Sequence, residues 1–420
     1  MPCRPGAVLD RARAGGVASI AVGRSYNPFQ PGFTENPYPH LQEMRESDPV
    51  HLSPMGAWVL FRYEDVFRML RDPTLSVEDR NVKPTPAMEL AMEVMGDVAD
   101  MGNRSMLNRD PPDHTRLRRL VSKAFTPRRV EELRPRIENL VDEALDAATP
   151  RWDLVDGLAF PLPFQVISEL LGTPDTDSAQ LRQWSGTVVR SLEPVVDPET
   201  VKAIAEAAVN IRDLISDIVA WKKANPADDL LTALILAEED GDKLSPYELS
   251  EQIALLYLAG HETTVNLIGN GTLALLRHPD QLERLRHDPA IAANAVEEML
   301  RYDSPVQNSR RITLAPIQVG AKRIDARSLV VLSLASANRD AARWGTSADR
   351  LDVSRQGASQ HVSFGGGHHY CLGSYLARLE AEVAITRLVR RFPGLALGGE
   401  PQWNGRLNLR GLSHLPVLTA

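Results

Sequence analysis

The feature that most constrains the fold is a long apolar segment, residues 247–278, whose hydrophobic positions recur at the helical period. This pattern predicts one long, buried α-helix. The same period is found in shorter segments at 127–148, 201–224, 290–302 and 374–392. Strand-like alternation is confined to 50–61, 311–324, 329–334 and the final run LRGLSHLPVL. The sequence therefore predicts a mainly α fold with a minor β region.

The composition of the 420 residues is that of a globular protein, with 43% hydrophobic and 24% charged residues. The absence of an internal repeat or a low-complexity linker favours one large domain. The net charge of −8 argues against nucleic-acid binding. Cys3 and Cys371 are too far apart to suggest a disulfide framework, which is typical of a reducing compartment. We expect a cytoplasmic monomer without a membrane anchor, since the apolar stretches near the start are shorter than the roughly 18 residues that a span needs.

The segment AGHETT, residues 259–264, interrupts the apolar pattern in the middle of the long helix. A glycine and an acid both cost stability inside an apolar helix, so together they indicate a functional site. An exposed face at this turn is the alternative.

Residues 104–129 carry seven arginines and one lysine against two aspartates, although the chain as a whole is acidic. Such a basic face can serve an anionic cofactor, an acidic partner or only solvation.

The segment FGGGHHYCLG, residues 364–373, places three glycines, two histidines and a cysteine together. A phosphate loop is one alternative, but the spacing matches neither GxGxxG nor GxxxxGK[ST]. Zinc is a second alternative, although structural zinc usually takes two spaced ligand pairs and only one thiol is present here. An inert buried cysteine is the third. The candidate zinc ligands are His361, His368, His369 and Cys371.

The setting of Cys371 favours a further explanation. The apolar stripe that follows it predicts a helix beginning near Ser374, so the sulfur lies just before a helix N-terminus, where the dipole favours a thiolate. Gly367 and Gly373 remove side chains on both sides, as a large flat ligand would require. A thiolate beside room for a planar group describes a cysteine-ligated haem.

The pattern Phe364-x-x-Gly367-x-His369-x-Cys371-x-Gly373 resembles the cysteine-loop signature of the cytochrome P-450 family. Four further segments resemble other hallmarks of that family in the right order: DPPDHTRLRR (110–119), AGHETT, the ExxR pair within EMLR (298–301), and NRD (338–340). The resemblance extends from about Asn27 to the C-terminus. It implies one triangular, mostly helical domain over 27–420, with residues 1–26 as an N-terminal extension that is a candidate for disorder.

The resemblance also implies the roles of individual residues around haem b. Cys371 would be the proximal iron ligand, with Phe364 packed beside the sulfur and Gly373 next to it. Ala259 and Gly260 would lie beside the iron, and Glu262 and Thr263 would deliver protons to bound oxygen. The residues that match the positions holding the two haem propionates are His114, Arg118, Arg311 and His369.

The ExxR pair, Glu298 and Arg301, would be buried and structural by resemblance, with Arg350 as the third member. Two departures from the family pattern are Leu351, where phenylalanine is common, and His368, where a small or apolar residue is common.

The implied function is a haem-thiolate monooxygenase that inserts one oxygen atom from dioxygen into an apolar small molecule. Electrons would come from a ferredoxin or flavodoxin with its NAD(P)H-dependent reductase, docked on the basic residues Arg116, Arg119, Lys123, Arg128 and Arg129. A haem-thiolate protein that uses peroxide directly, or that only binds ligands, is the alternative. The residues expected to line the substrate cavity are Met88, Met92, Leu255, Leu258, Val306 and Leu412.

Overall fold

The computed structural model describes residues 26–84, 89, 104–174, 178–193, 197–239 and 242–419. Its α-helices are α1 (Tyr38–Ser47), α2 (Tyr63–Arg71), α3 (Asp113–Ala124), α4 (Pro127–Glu131), α5 (Arg134–Asp146), α6 (Pro161–Leu171), α7 (Ser178–Val188), α8 (Pro198–Ala224), α9 (Leu230–Ile235), α10 (Pro246–Arg277), α11 (Pro279–His287), α12 (Ala292–Tyr302), α13 (Leu334–Ala337), α14 (Ala341–Trp344) and α15 (Ser374–Arg391). The long helix predicted at 247–278 is α10, and the mainly α fold is confirmed.

The prediction of one helix over 127–148 is wrong in one respect, because α4 ends at Glu131 and α5 begins at Arg134. Pro135 lies in the first turn of α5, where a missing N–H is tolerated. In a continuous helix the same proline would leave the carbonyl of Glu131 without its donor. The chain therefore breaks at this point.

The strands are β1 (Val50–Leu52), β2 (Trp58–Leu60), β3 (Leu75–Ser76), β4 (Arg151–Asp153), β5 (Glu238–Glu239), β6 (Asp242–Lys243), β7 (Asn308–Thr313), β8 (Ile317–Val319), β9 (Lys322–Ile324), β10 (Leu329–Ser333), β11 (Ala396–Leu397), β12 (Gln402–Trp403), β13 (Leu412–His414) and β14 (Pro416–Leu418). A five-stranded sheet has the order β1-β2-β10-β7-β3, in which only β2 and β10 are parallel neighbours. A three-stranded sheet β11-β14-β4 and the pairs β12-β13, β8-β9 and β5-β6 complete the minor β region.

Helix α10, with 32 residues, is the longest helix in the described part of the chain. Its start is fixed by a capping box, in which the Glu248 N–H donates to Ser245 Oγ (3.2 Å) and the Ser245 N–H donates to Glu248 Oε2 (2.9 Å). Pro246 occupies the first turn, where its missing N–H costs nothing. The helix stays regular through residues 259–264 and packs against α6, α8, α12 and α15.

The main apolar core surrounds α10 and includes side chains from α5, α6, α12 and α15. A second cluster joins the five-stranded sheet to α2, and a third packs α1 against β2. Tyr26, the last residue of the predicted N-terminal extension, packs edge-on to Phe61 with ring centroids 5.3 Å apart. Residues 1–25 lie outside the described residues. In the part of the chain that the structure describes, no helix has both the length and the apolar character needed to cross a membrane.

Candidate active site

The cysteine loop lies between α14 and α15 and is held by backbone hydrogen bonds. The Cys371 N–H donates to the carbonyl of Phe364 (2.9 Å), and a 3-10 turn covers Gly367–His369. Gly365 and Gly367 adopt positive φ angles of 72° and 65°. Gly365 and Gly367 therefore allow a tight fold of the loop, which presents Cys371 just before the first turn of α15.

The two glycines predicted to make room for a flat ligand differ in their surroundings. A Cβ on Gly367 would lie 2.8 Å from the carbonyl oxygen of Leu70, so this glycine allows the loop to approach the end of α2. A Cβ on Gly373 would meet nothing within 4 Å. Open space next to the cysteine is found at Gly373, whereas Gly367 is explained by its contact with Leu70, and its predicted role beside a flat ligand stays a prediction.

Opposing influences act on the thiol of Cys371. Burial raises the pKa of the Cys371 thiol above its usual range, whereas the N–H groups of Gly373 and Ser374 and the cations Arg118 and Arg378 act to lower it. The helix N-terminus was expected to favour the thiolate, but loss of solvation is the larger effect. A cation bound at the sulfur would reverse this balance.

A cluster of three imidazoles and two guanidinium groups lies against the cysteine loop. The ring centroids of His114 and His369 are 4.2 Å apart, and that of His368 lies 5.2 Å from His114. Arg118 donates to the carbonyl of Tyr370 (2.7 Å). Arg311 donates to the carbonyls of Leu70 (3.0 Å) and Arg310 (2.7 Å) and to Ser309 Oγ (3.3 Å). The structure thus brings together all four residues predicted to hold the propionates, with His368 beside them.

Several ring nitrogens of the cluster have no hydrogen-bond partner among the described residues. Both ring nitrogens of His114 and Nε2 of His369 are buried without a hydrogen-bond partner. Burial, His368 and Arg118 lower the pKa of His114 to about 4, and burial lowers the pKa of Arg311 to about 10. Among the described residues, Arg118 and Arg311 bond to carbonyl and hydroxyl oxygens and to no carboxylate. The arrangement is one that a bound anion would complete.

On α10, the hydroxyl of Thr263 donates to the carbonyl of Ala259, four residues earlier (2.8 Å). The hydroxyl of Thr264 makes the equivalent bond to the carbonyl of Gly260 (3.1 Å). A Cβ on Gly260 would lie 3.5 Å from Ile167 Cδ1, so the bare side of this glycine faces α6. The room predicted beside Gly260 for a bound ligand stays a prediction.

The carboxylate of Glu262 is paired with Arg406, a residue that the sequence analysis did not single out. Arg406 lies in the loop between β12 and β13, far from α10 in sequence. The imidazole of His261 is buried beside this pair, with Nε2 3.9 Å from Glu262 Oε2. A single arginine in a loop carries no sequence signal for such a contact.

The ExxR pair is completely buried, and both side chains are 0% exposed. Arg301 Nε and Nη2 donate to the two carboxylate oxygens of Glu298 (2.6 and 2.8 Å). The third member is Arg355, whose Nε lies 3.1 Å from both oxygens of Glu298. The assignment of Arg350 was wrong, because its side chain is exposed and only its carbonyl accepts from Arg301 and Arg355.

A second ion-pair network supports the cysteine loop. Glu297 accepts from Arg378 Nε (2.6 Å) and from His361 Nε2 (2.9 Å), which the N–H donated by Ser363 to Nδ1 identifies as the protonated nitrogen. These partners hold the pKa of Glu297 at about 2 against the opposing effect of burial. The guanidinium of Arg378 lies 4.5 Å from the ring centroid of Phe364. His361, a candidate zinc ligand in the sequence, is therefore engaged in this network.

The residues predicted to line the substrate cavity lie on several elements. Leu255 and Leu258 on α10 are partly buried against the main core, and Val306 forms a β-bridge with Leu409. Leu412 is buried close to Gly269 of α10. Met88 and Met92 lie outside the described residues. The lining role of these six residues stays a prediction.

The basic residues predicted to dock a partner are largely paired within the chain. Arg116 contacts Asp242 and Glu248, Arg128 contacts Glu132, and Arg129 contacts Asp228. Arg119 and Lys123 are also engaged. By contrast, a surface groove of about 440 Å³ beside the cysteine loop is lined by Tyr63, Phe67, Arg71, Arg343, Ser359, Gln360, His361, Gly365 and Tyr370.

The family model for cytochrome P450 matches residues 191–403. The chain is 44% identical to cytochrome P450 107B1 of Saccharopolyspora erythraea, over 93% of this chain and 96% of the relative. It is 42% identical to vitamin D(3) 25-hydroxylase of Pseudonocardia autotrophica, over 93% and 95%. The crystal structure of epothilone D-bound cytochrome P450epoK is similar at a TM-score of 0.87 and 32% identity, over 94% of this chain and 99% of that one.

Proposed function

Since this chain belongs to the cytochrome P450 family and is a haem-thiolate monooxygenase, we propose that its haem b would be held by the sulfur of Cys371 and by the cationic cluster beside the cysteine loop. The observation that carries this assignment is the cluster of His114, Arg118, Arg311 and His369. Among the described residues, three of its ring nitrogens have no hydrogen-bond partner and neither guanidinium bonds to a carboxylate. Haem b carries two carboxylates, which complement these donors by charge-assisted hydrogen bonds.

The fit of the group to this chain is chemical as well as electrostatic. A Cβ on Gly373 would meet no atom within 4 Å, which is compatible with a flat ring against the backbone next to the sulfur. A ferric ion bound at Cys371 would offset the burial that disfavours the thiolate, and Arg118, which already favours the charged sulfur, would also attract an anion in the cluster. The opposite faces of the cofactor would thus be bounded by Cys371 and by residues 259–264.

When bound, haem supplies the reductive activation of dioxygen, from which one oxygen atom enters the substrate and the other becomes water. Two electrons and two protons balance the reaction. We assign proton delivery to Glu262 and Thr263 on α10. Because the Thr263 hydroxyl already donates to Ala259, its oxygen lone pairs remain available to accept a hydrogen bond inside the site. Glu262 is the ionisable group that exchanges protons with the solvent side.

The substrate we propose is an apolar small molecule that is hydroxylated or epoxidised. Leu255, Leu258, Val306 and Leu412 would supply an apolar lining, with Met88 and Met92 as adaptable additions. Two similar proteins support this class, since one is named as a vitamin D(3) hydroxylase and another has been crystallised with epothilone D.

Electrons would come from a ferredoxin or flavodoxin with its NAD(P)H-dependent reductase, in the cytoplasm. The paired state of Arg116, Arg128 and Arg129 argues against docking on these residues. We place the acidic carrier instead on the groove beside the cysteine loop, where Arg71 and Arg343 contact aromatic rings and no carboxylate in the described structure.

The cofactor assignment is tested by titrating the apoprotein with haem and with its dimethyl ester. The cluster predicts that the ester, which lacks both charges, binds at least roughly tenfold more weakly, because each charge-assisted hydrogen bond contributes about 1.5–3 kcal/mol. Arg311→Gln should reduce this preference for the free acid. Arg310→Gln is the matched control, since the neighbouring Arg310 pairs with Asp79 at the surface. Equal binding of acid and ester would place the propionates elsewhere.

A further inference from the structure

The acid on α10 is held by a cation from a distant part of the chain. One carboxylate oxygen of Glu262, Oε1, contacts Nη1 of Arg406, which lies in the loop 404–411 between β12 and β13. The other oxygen, Oε2, lies 3.9 Å from Nε2 of His261. The side chains of Glu262 and Arg406 are 15% and 19% exposed, so the pair lies at the edge of the protein interior, within reach of water.

Arg406 also joins α10 to the end of α7. Its Nη2 donates to the carbonyl of Gly186 (3.3 Å), in the last turns of α7. The loop around Arg406 is fixed locally, because the side-chain oxygen of Asn404 accepts from the Arg406 N–H (3.1 Å). The guanidinium therefore has one partner on α10 and one on α7, while its own backbone is anchored in its loop.

A second clamp joins the same two regions. The carboxylate of Glu193, which follows α7, accepts from the backbone N–H groups of Leu407 (2.8 Å) and Asn408 (3.0 Å). Segment 186–193 and loop 404–411 are thus connected at two places, and one of these carries the partner of Glu262. Movement of segment 186–193 would shift Arg406 and with it the acid.

The other groups around Glu262 do not replace this cation. His261 is 1% exposed and faces Phe160 and Phe164 edge-on, and burial lowers the pKa of His261, which leaves it neutral near pH 7. Arg182 pairs with Asp156 (2.9 Å). Within the described residues, Arg406 is thus the guanidinium that forms an ion pair with Glu262.

We propose that Arg406 is a positioning residue for proton delivery: it fixes Oε1 of Glu262, leaves Oε2 free to carry the proton, and links the orientation of this carboxylate to segment 186–193. The inference rests on the proposed role of Glu262. It assigns the loop between β12 and β13 a part in the reaction, although no residue of that loop was expected to take part.

A double-mutant cycle, made of Arg406→Gln, Glu262→Gln and the double variant, tests whether Arg406 acts through Glu262. Arg406→Gln should lower turnover roughly tenfold, the effect of one charge-assisted hydrogen bond, and raise the solvent deuterium isotope effect. Substrate affinity, read from the spin-state shift, should change less than about twofold. In the Glu262→Gln background, the same change should alter turnover less than about twofold, because the two residues act as one unit.

Arg406→Lys and Arg190→Gln are the matched variants. Lysine keeps a charge for Oε1 but cannot hold Gly186 at the same time, so it should restore part of the turnover. Arg190 lies in segment 186–193, contacts Thr200 (3.3 Å) and is exposed, so its loss should leave turnover and the isotope effect unchanged. Independently of activity, hydrogen exchange at 404–411 and 186–193 should rise in Arg406→Gln and in Glu193→Gln.

The outcomes separate the inference from the function on which it rests. If Glu262→Gln leaves turnover unchanged, Glu262 is not the proton donor and both assignments fail. If Glu262→Gln slows turnover but Arg406→Gln does not, Arg406 does not act through Glu262. The same conclusion follows if the fold-reductions in turnover of the two single variants multiply in the double variant. If Arg406→Gln weakens substrate binding as much as it slows turnover and lysine restores neither, Arg406 only holds the loop together, and the proposal is overturned.

Discussion

Two groups of arginines in this enzyme differ in what balances their charge. Arg301 and Arg355 share the carboxylate of Glu298, and their remaining N–H groups reach backbone carbonyls. Arg118 and Arg311 bond to neutral oxygens, beside ring nitrogens of His114 and His369 that have no hydrogen-bond partner. The first group is complete within the chain, whereas the second would be completed by the carboxylates of the proposed haem. A buried cation therefore indicates a ligand site when the chain provides no carboxylate for it.

The same distinction applies at the surface. Arg116, Arg128 and Arg129 lie in the most basic stretch of the sequence, yet each has an acidic partner from another part of the fold or one helical turn away. Arg71 and Arg343 belong to no basic run, and both contact aromatic rings beside the cysteine loop. Local charge density in the sequence therefore does not measure the charge that is available for binding.

The largest effect expected from this comparison is on stability. Arg355→Met should lower the free energy of unfolding by about 3–5 kcal/mol, because it leaves the buried Glu298 with one cation instead of two. Arg350→Met should change it by less than about 0.5 kcal/mol, since that side chain is exposed. Denaturant unfolding of both apoproteins measures the difference. Similar losses in the two variants would contradict the assignment of Arg355 as the third member.

A smaller effect is expected on the pH dependence of the apoprotein. The pKa of His114 is lowered to about 4 from its ordinary 6.5, by burial first and then by His368 and Arg118, with Asp110 acting in the opposite direction. The unfolded state therefore binds more protons between these values, so the stability that His114 contributes is complete above pH 6.5 and is lost as the pH falls toward 4. The loss is at most about 1.4 kcal/mol per pH unit.

Between pH 7 and pH 5, the free energy of unfolding of the apoprotein should therefore depend less steeply on pH in His114→Gln than in the unmodified protein. Haem should also reduce the steepness in the unmodified protein, because its carboxylates favour the protonated imidazole. If neither haem nor His114→Gln alters this pH dependence of unfolding, His114 does not face the propionates.

The smallest effect is on partner binding. Replacing Arg71 and Arg343 together with glutamine should weaken the complex with an acidic ferredoxin by about two- to fivefold at low salt, as expected for exposed charges. Arg128→Gln should change it by less than about twofold. Titration of the two proteins by calorimetry at two ionic strengths measures this. If Arg128→Gln weakened binding more than the double substitution does, the partner would dock on the basic segment 104–129 instead.

Much of this fold and site could be predicted from residues that are close in sequence. The period of α10, the cysteine loop and the Thr263 to Ala259 hydrogen bond all follow from local patterns. The ExxR pair is also local, but its third member required a choice between two arginines five residues apart. That choice depends on which side chain the loop directs inward, and the sequence does not contain this information.

Contacts between distant segments could not be predicted from the sequence for the same reason. The pairing of Glu262 with Arg406, and of Arg116 with Asp242, joins segments whose approach is decided by the packing of whole helices. The pKa of Cys371 is a related case, because the helix N-terminus could be inferred but the degree of burial could not. Gly367 was interpreted through a ligand, whereas the neighbour it accommodates is the carbonyl of Leu70.

The central claim, that the sulfur of Cys371 binds the haem iron, is tested most directly by the absorption spectrum of the reduced carbon monoxide complex. The account predicts the strongly red-shifted Soret band of thiolate ligation in the unmodified protein and in Cys3→Ser, and its loss in Cys371→Ser. If Cys371→Ser keeps the red-shifted band, another residue binds the iron and the account is wrong.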